Sequence, residues 1–237
     1  MKVLLVLCLS GAAAWAGAQP TPDPGRPTRS QAAALFEQGR STLEEGPLAQ
    51  AYLYYCAAPE NLEKALACAR IDYYRALGED SRHQRDQAKK TLEEGIGWAQ
   101  KAVQLAPDSG PAHALLADLY GEKIVLGDLF TGMDFGPKDG EENKKALALA
   151  PADPRVLAAQ GRRFLMAPDF AGGDPRKALD FFKRSLAADP GSDETWVWLA
   201  RTQRRLGDGA GARDSLRRAL GLNPRNVQAQ RETPKGE

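Results

Sequence analysis

The sequence is short of the side chains that carry most enzymatic and metal chemistry. Its 237 residues hold two histidines and three cysteines, and these do not gather with acids at ligand spacing, which argues against a dedicated metal site. No Gly-x-Ser-x-Gly elbow, phosphate-cradling glycine loop or histidine beside a nucleophile occurs. The Gly172-Gly173-Asp174 run lacks the preceding strand of a dinucleotide fingerprint, and Asp134, Asp139, Glu141 and Glu142 lack the spacing of a calcium loop. Neither an enzymatic role nor a cofactor is expected. Runs of β-branched residues are scarce while Ala, Leu and Arg abound, so helix is expected throughout, with almost no strand. A formal net charge of +1 offers no global attraction for nucleic acid or anionic membrane.

An apolar run long enough to span a bilayer is also missing. The apolar run Val3 to Leu9 follows the single charge of Lys2 and leads to small residues through Ala18, the pattern of a secretory signal peptide, with cleavage expected after Ala18. Loss of Lys2 leaves bases and acids in balance. A periplasmic or secreted location follows, and with it an oxidising environment. There Cys56 and Cys68 form either a disulfide or two small buried hydrophobes.

Four prolines in residues 19–29 break any apolar face and mark a disordered spacer. Ser30 is the expected cap of the first helix, which runs to a Gly46-Pro47 break. A second helix from Leu48 to Ala57 carries Tyr52, Tyr54 and Tyr55. Residues 30–60 thus make a degenerate hairpin. Asn61 caps a helix through Leu77 with Leu62, Ala65, Leu66, Ala69, Tyr73 and Ala76 at helical spacing. Its partner spans Gln87 to Leu105 after the polar linker GEDSRHQRD. The third hairpin starts near Gly110 and carries extra residues at its turn, LGDLFTGMDFGPKDG. The fourth places Asp174 to cap a second helix with Pro175 in its first turn, and Gly172 and Gly173 supply the freedom for a sharp re-entry.

The last block, Asp193 to Pro224, resembles a tetratricopeptide repeat. Trp196, Leu199, Ala200, Ala212, Leu216, Ala219 and Pro224 occupy that family's places, and Gln203 is the one departure. The likeness covers residues 61–224 and implies an all-α, right-handed solenoid of about five helical hairpins, followed by a polar tail at residues 225–237. The order GMDFGPKDG, ALAPADPR, FLMAPDFAGGDPRKALDFFKRSL is similar to secreted bacterial members with a Gly-Gly-Asp inter-helix turn. A more distant similarity is to the T-component of tripartite periplasmic transporters, whose hairpins surround a pore.

The family's first helices line a concave groove. On that resemblance Arg162, Arg201, Arg204 and Arg205 face it, and their planar forks suit an acidic peptide or a chain-terminal carboxylate. The alternative is that these arginines pair with nearby acids. Phe130, Met133 and Phe135 either form a rim closing over a ligand or fold back onto their own helices. The expected function is an exported scaffold that binds a protein or peptide of the cell envelope. The alternative is a small-molecule-binding accessory subunit of a periplasmic transport system.

Overall fold

The computed structural model describes residues 26–57 and 61–234. The expected signal peptide and its cleavage point at Ala18 lie outside the described residues, as do residues 19–25 and 235–237. Among the described residues the chain is helical and without strand: α1 (Arg29–Thr42), α2 (Glu45–Tyr55), α3 (Leu62–Ser81), α4 (Arg85–Leu105), α5 (Gly110–Leu126), α6 (Leu129–Leu149), α7 (Pro154–Met166), α8 (Pro175–Ala188), α9 (Asp193–Arg205), α10 (Gly209–Leu222) and α11 (Val227–Glu232). Successive pairs form five hairpins that stack on one another, and α11 begins a further layer.

Local chemistry sets most helix starts. All but α2 and α4 begin on a side chain that accepts a hydrogen bond from the first turn, supplied by Thr28, Asn61, Ser109, Asp128, Asp153, Asp174, Ser192, Asp208 and Asn226. Each cap satisfies backbone N–H groups that a helix leaves without partners. The cap of α1 is Thr28 rather than Ser30, because Thr28 and Gln31 form a reciprocal capping box. In α2, Pro47 falls in the first turn, where an absent N–H breaks nothing, so the helix starts at Glu45.

Two further departures from the sequence reading extend helices beyond their expected ends. The polar linker after Leu77 continues α3 to Ser81, because Gly78 and Glu79 are buried beneath the end of α1. The extra residues at the third turn do not loop out; they lengthen both helices, leaving only Gly127 and Asp128 as the turn. Ser215 is buried and hydrogen-bonded to Gln203 at 2.7 Å. That bond ties α9 to α10 at the one place where the repeat pattern is broken.

The core follows the repeat spacing. Leu199, Ala200, Ala212, Leu216 and Ala219 are buried, and Trp196 is half-buried between two clusters. Gly161 lets α7 approach α8 so closely that an added Cβ would lie 2.6 Å from the Phe182 ring. In the turn after α7, Gly172 has φ +87°, and a Cβ on Gly173 would sit 2.0 Å from the Ala167 carbonyl oxygen. Asp174 receives the N–H groups of Arg176 and Lys177, so the Gly-Gly-Asp run re-enters the stack as expected.

The solenoid closes on itself. Arg40 of α1 donates to Asp193 at 3.0 Å, and Tyr74 of α3 donates to Glu194 at 2.7 Å. Asn223 donates to the Ser41 hydroxyl at 2.7 Å, so the first and last hairpins meet. The expected polar tail contributes to this: α11 buries Ala229 and packs Val227 onto the N-terminal core.

Cys56, at the end of α2, is disulfide-bonded to the buried Cys68 of α3, with Cα atoms 5.8 Å apart. The loop it closes is short, so the Cys56→Ser, Cys68→Ser chain is expected to lose about 3 kcal/mol of unfolding free energy, largely through a freer unfolded state. Urea denaturation of the two proteins measures this, and an unchanged midpoint would count against it.

Candidate binding groove

Among the described residues, two cavities are lined by the first helices of successive hairpins. One, of about 360 Å³, is lined by polar groups from the first helices of the hairpins, including Arg70, Tyr74, Asp118, Arg162 and Glu194. The other, of about 630 Å³, is apolar and lies at the opposite mouth. Its walls are Ile124 and Val125 of α5, Leu129, Met133 and Pro137 of α6, Met166 of α7, Phe170 of the following turn and Trp198 of α9. Both cavities are lined by Tyr73, Asp118 and Arg162. These three side chains stand between the two mouths.

The arginines singled out by the repeat pattern have internal partners. Arg162 grips Asp118 through two bonds, Nε to Oδ1 at 2.8 Å and Nη2 to Oδ2 at 2.5 Å. Burial opposes its charge, but Asp118 and Glu194 more than offset that and hold its pKa above the ordinary value. Arg201 donates to Glu232 at 2.5 Å and to Gln228 at 2.9 Å. Arg204 reaches the same Glu232 at 3.2 Å. Arg205 donates to the Leu165 carbonyl at 2.6 Å and lies 3.9 Å from Asp169. Of the four, only Arg162 lines either cavity. The other three tie α9 to α11 and to the end of α7.

The aromatic and apolar residues near the third turn divide. Phe135 packs beside Tyr120, with Lys123 and Lys138 over its ring. Met133, 68% exposed, lines the apolar mouth, while Phe130, 77% exposed, stands outside it on the same helix. The sequence reading did not single out Phe170, which is 91% exposed. A phenylalanine in a proline- and glycine-rich turn was the available signal. Trp198 is half-buried, stacked on Phe182 and under Arg201, and its edge reaches the groove.

Carboxyls in and near this interior have raised pKa values. Burial pushes Glu122 up to about 7, aided by Asp80 and opposed by Arg201. Burial does the same for Asp139, to about 7, against the pull of Arg163, and for Asp72, to about 7, against Arg75. In the unfolded chain such groups titrate near 4. Between those limits the folded state binds more protons, so these groups stabilise it at low pH, and that contribution is lost as pH rises through 7. The lowered carboxyls Asp128, Glu141, Asp153 and Asp174 act only below their ordinary values, outside this window. The urea midpoint is therefore expected to be higher at pH 5.5 than at pH 8. A midpoint that climbs across that range would contradict the assignment.

The fold and groove define a tetratricopeptide-type helical solenoid. Residues 169–231 match the model of the tetratricopeptide repeat family. A thermophilic TPR protein from Thermus thermophilus superposes with a TM-score of 0.57 at 16% identity, over 84% of this chain and 95% of that one. More loosely similar are PilF of Pseudomonas aeruginosa (TM-score 0.40, 22% identity, 68% of this chain and 63% of that one) and YrrB, a TPR protein with an unusual peptide-binding site (TM-score 0.41, 17% identity, 84% and 97%). No curated protein matches the chain in sequence. No helix among the described residues is long and apolar enough to cross a membrane.

Proposed function

We propose that this chain is a non-catalytic helical scaffold that holds a segment of a partner protein in the apolar mouth of its closed stack. One observation carries the reading: Val125, Leu129, Met133, Met166 and Phe170 are exposed around a single cavity. Large apolar side chains gathered in water mark an interaction surface, and repeat solenoids present such concave faces to other chains. Phe130 extends the apolar area beyond the cavity, which suits a macromolecular partner better than a small solute. The pair Arg162 and Asp118 stands across the interior, which disfavours an open pore. The acidic guest expected for Arg162, Arg201, Arg204 and Arg205 gives way to an apolar one, because each guanidinium is already taken up internally.

We place the scaffold outside the cytoplasm, in the periplasm or beyond. The leader pattern of residues 1–18 and the Cys56–Cys68 bond support that location.

The full chain carrying a photoreactive benzoylphenylalanine in place of Phe170, irradiated in the producing cells, is expected to give a discrete protein adduct. The same group at the exposed Arg217 of α10 serves as control. Equal adducts at both positions, or none at 170, would remove the apolar mouth from the binding role.

A further inference from the structure

The groove walls carry four acids, Asp118, Glu122, Asp128 and Asp139, against two bases, Arg162 and Arg163. Three of the acids have partners. Asp118 is held by Arg162, Asp139 accepts from Asn143 at 2.9 Å and lies 3.4 Å from Arg163, and Asp128 caps α6 through Thr131. Glu122 alone makes no hydrogen bond or ion pair among the described residues. The charged groups whose fields reach it are Asp80 of α3, Arg85 of α4, Asp118 of its own helix and Arg201 of α9. Of these, Arg201 is bonded to Glu232 and Gln228, and Arg85 to the carbonyls of Val125 and Leu126. The Glu122 carboxylate lines the mouth with Ile124, Val125 and Trp198, the charges of Arg201 and Arg85 reach it without bonding it, and burial raises its pKa to about 7.

We infer that the partner segment seated in this mouth is apolar and carries a lysine or arginine whose cation is received by Glu122. The long aliphatic stem of either side chain suits the apolar wall, with the charge delivered at its end. An acidic segment would meet an unpaired like charge, so the groove selects by sign as well as by hydrophobicity. The inference rests on the proposed docking role of the apolar mouth and adds the chemistry of its occupant.

The test uses the full chain, folded and purified, and pools of twelve-residue peptides. Each pool has degenerate apolar and alanine positions and a fixed central lysine, norleucine or glutamate. Fluorescence anisotropy is read against the wild type, Glu122→Gln and Met133→Ser/Phe170→Ser, each first checked for an unchanged melting temperature. Expected are roughly tenfold tighter binding of the lysine pool than the norleucine pool, since a charge-assisted bond is worth about that factor, and loss of that preference in Glu122→Gln with norleucine binding retained. Equal binding of the lysine and norleucine pools overturns the basic anchor while leaving the apolar docking face intact. Binding of no pool, or binding indifferent to Met133→Ser/Phe170→Ser, overturns the docking face itself. Uptake of octylamine with no peptide bound overturns the peptide occupant in favour of a small apolar amine.

Discussion

Asp193→Ala is expected to destabilise the folded chain by about 3–5 kcal/mol, the loss seen when one partner of a buried ionic cluster is removed. Asp193 is buried, and its two oxygens receive Arg40 at 3.0 Å, Asn223 at 2.7 Å and Asn226 at 2.9 Å. Alanine leaves the Arg40 guanidinium with Glu37 as its remaining carboxylate partner, strips the buried Asn226 amide of its acceptor, and leaves the half-buried Asn223 with the Ser41 hydroxyl alone. The cluster also joins α1 to the start of α9, so its loss should open the stack before it unfolds. Hydrogen exchange is then expected to rise in α1 and α11 and to stay slow in α3 and α5, where the largest core lies. Urea denaturation measures the first effect. A loss below about 1 kcal/mol, with unchanged exchange in α1, would mean that closure depends on the apolar contacts alone.

That closure explains which parts of the molecule were legible from residue order. Hairpin contacts join residues about one repeat apart, so Leu199, Ala200, Ala212, Leu216 and Ala219 announced their burial by spacing. The caps at Asn61 and Asp174 were equally local. Arg40 and Asp193 lie 153 positions apart, and no period relates them. Arg162 with Asp118 and Arg201 with Glu232 lie 44 and 31 positions apart, but their acids belong to other helices at places the repeat pattern leaves free. A pattern of places can say that an arginine faces inward without saying what already waits there. The third turn failed for another reason. Leu129, Gly132, Met133 and Gly136 recur at helical spacing, but the glycines and Pro137 suppress helix propensity locally. Tertiary contact overrode that preference, and the helix that resulted carries one wall of the groove. Phe170 was hidden because an exposed aromatic in a loop has no periodicity to betray it.

The second large effect is expected at the centre of the stack, where Asp118→Ala should destabilise the protein by about 3–5 kcal/mol. The two-bond pair with Arg162 leaves both groups largely shielded from water, and Tyr73 packs beside them between the two cavities. Burial, aided by the charge of Glu194, pushes the Asp118 carboxyl up, and Arg162 opposes that shift. Removing the acid leaves the guanidinium facing Glu194, 3.9 Å away and already bonded to Tyr74. Replacing both partners, as Asp118→Leu with Arg162→Met, removes the stranded charge and is expected to recover most of the loss, because well-packed apolar groups substitute for buried ion pairs at little net penalty. The comparison separates charge from packing. If the double variant is as unstable as Asp118→Ala, the bridge acts by shape rather than by compensating charge. If it recovers, the pair can be exchanged for apolar side chains, joining the two cavities through a dry wall. The apolar mouth would then keep its docking face and its unpaired Glu122, so peptide binding should survive in a chain whose central ion pair is gone.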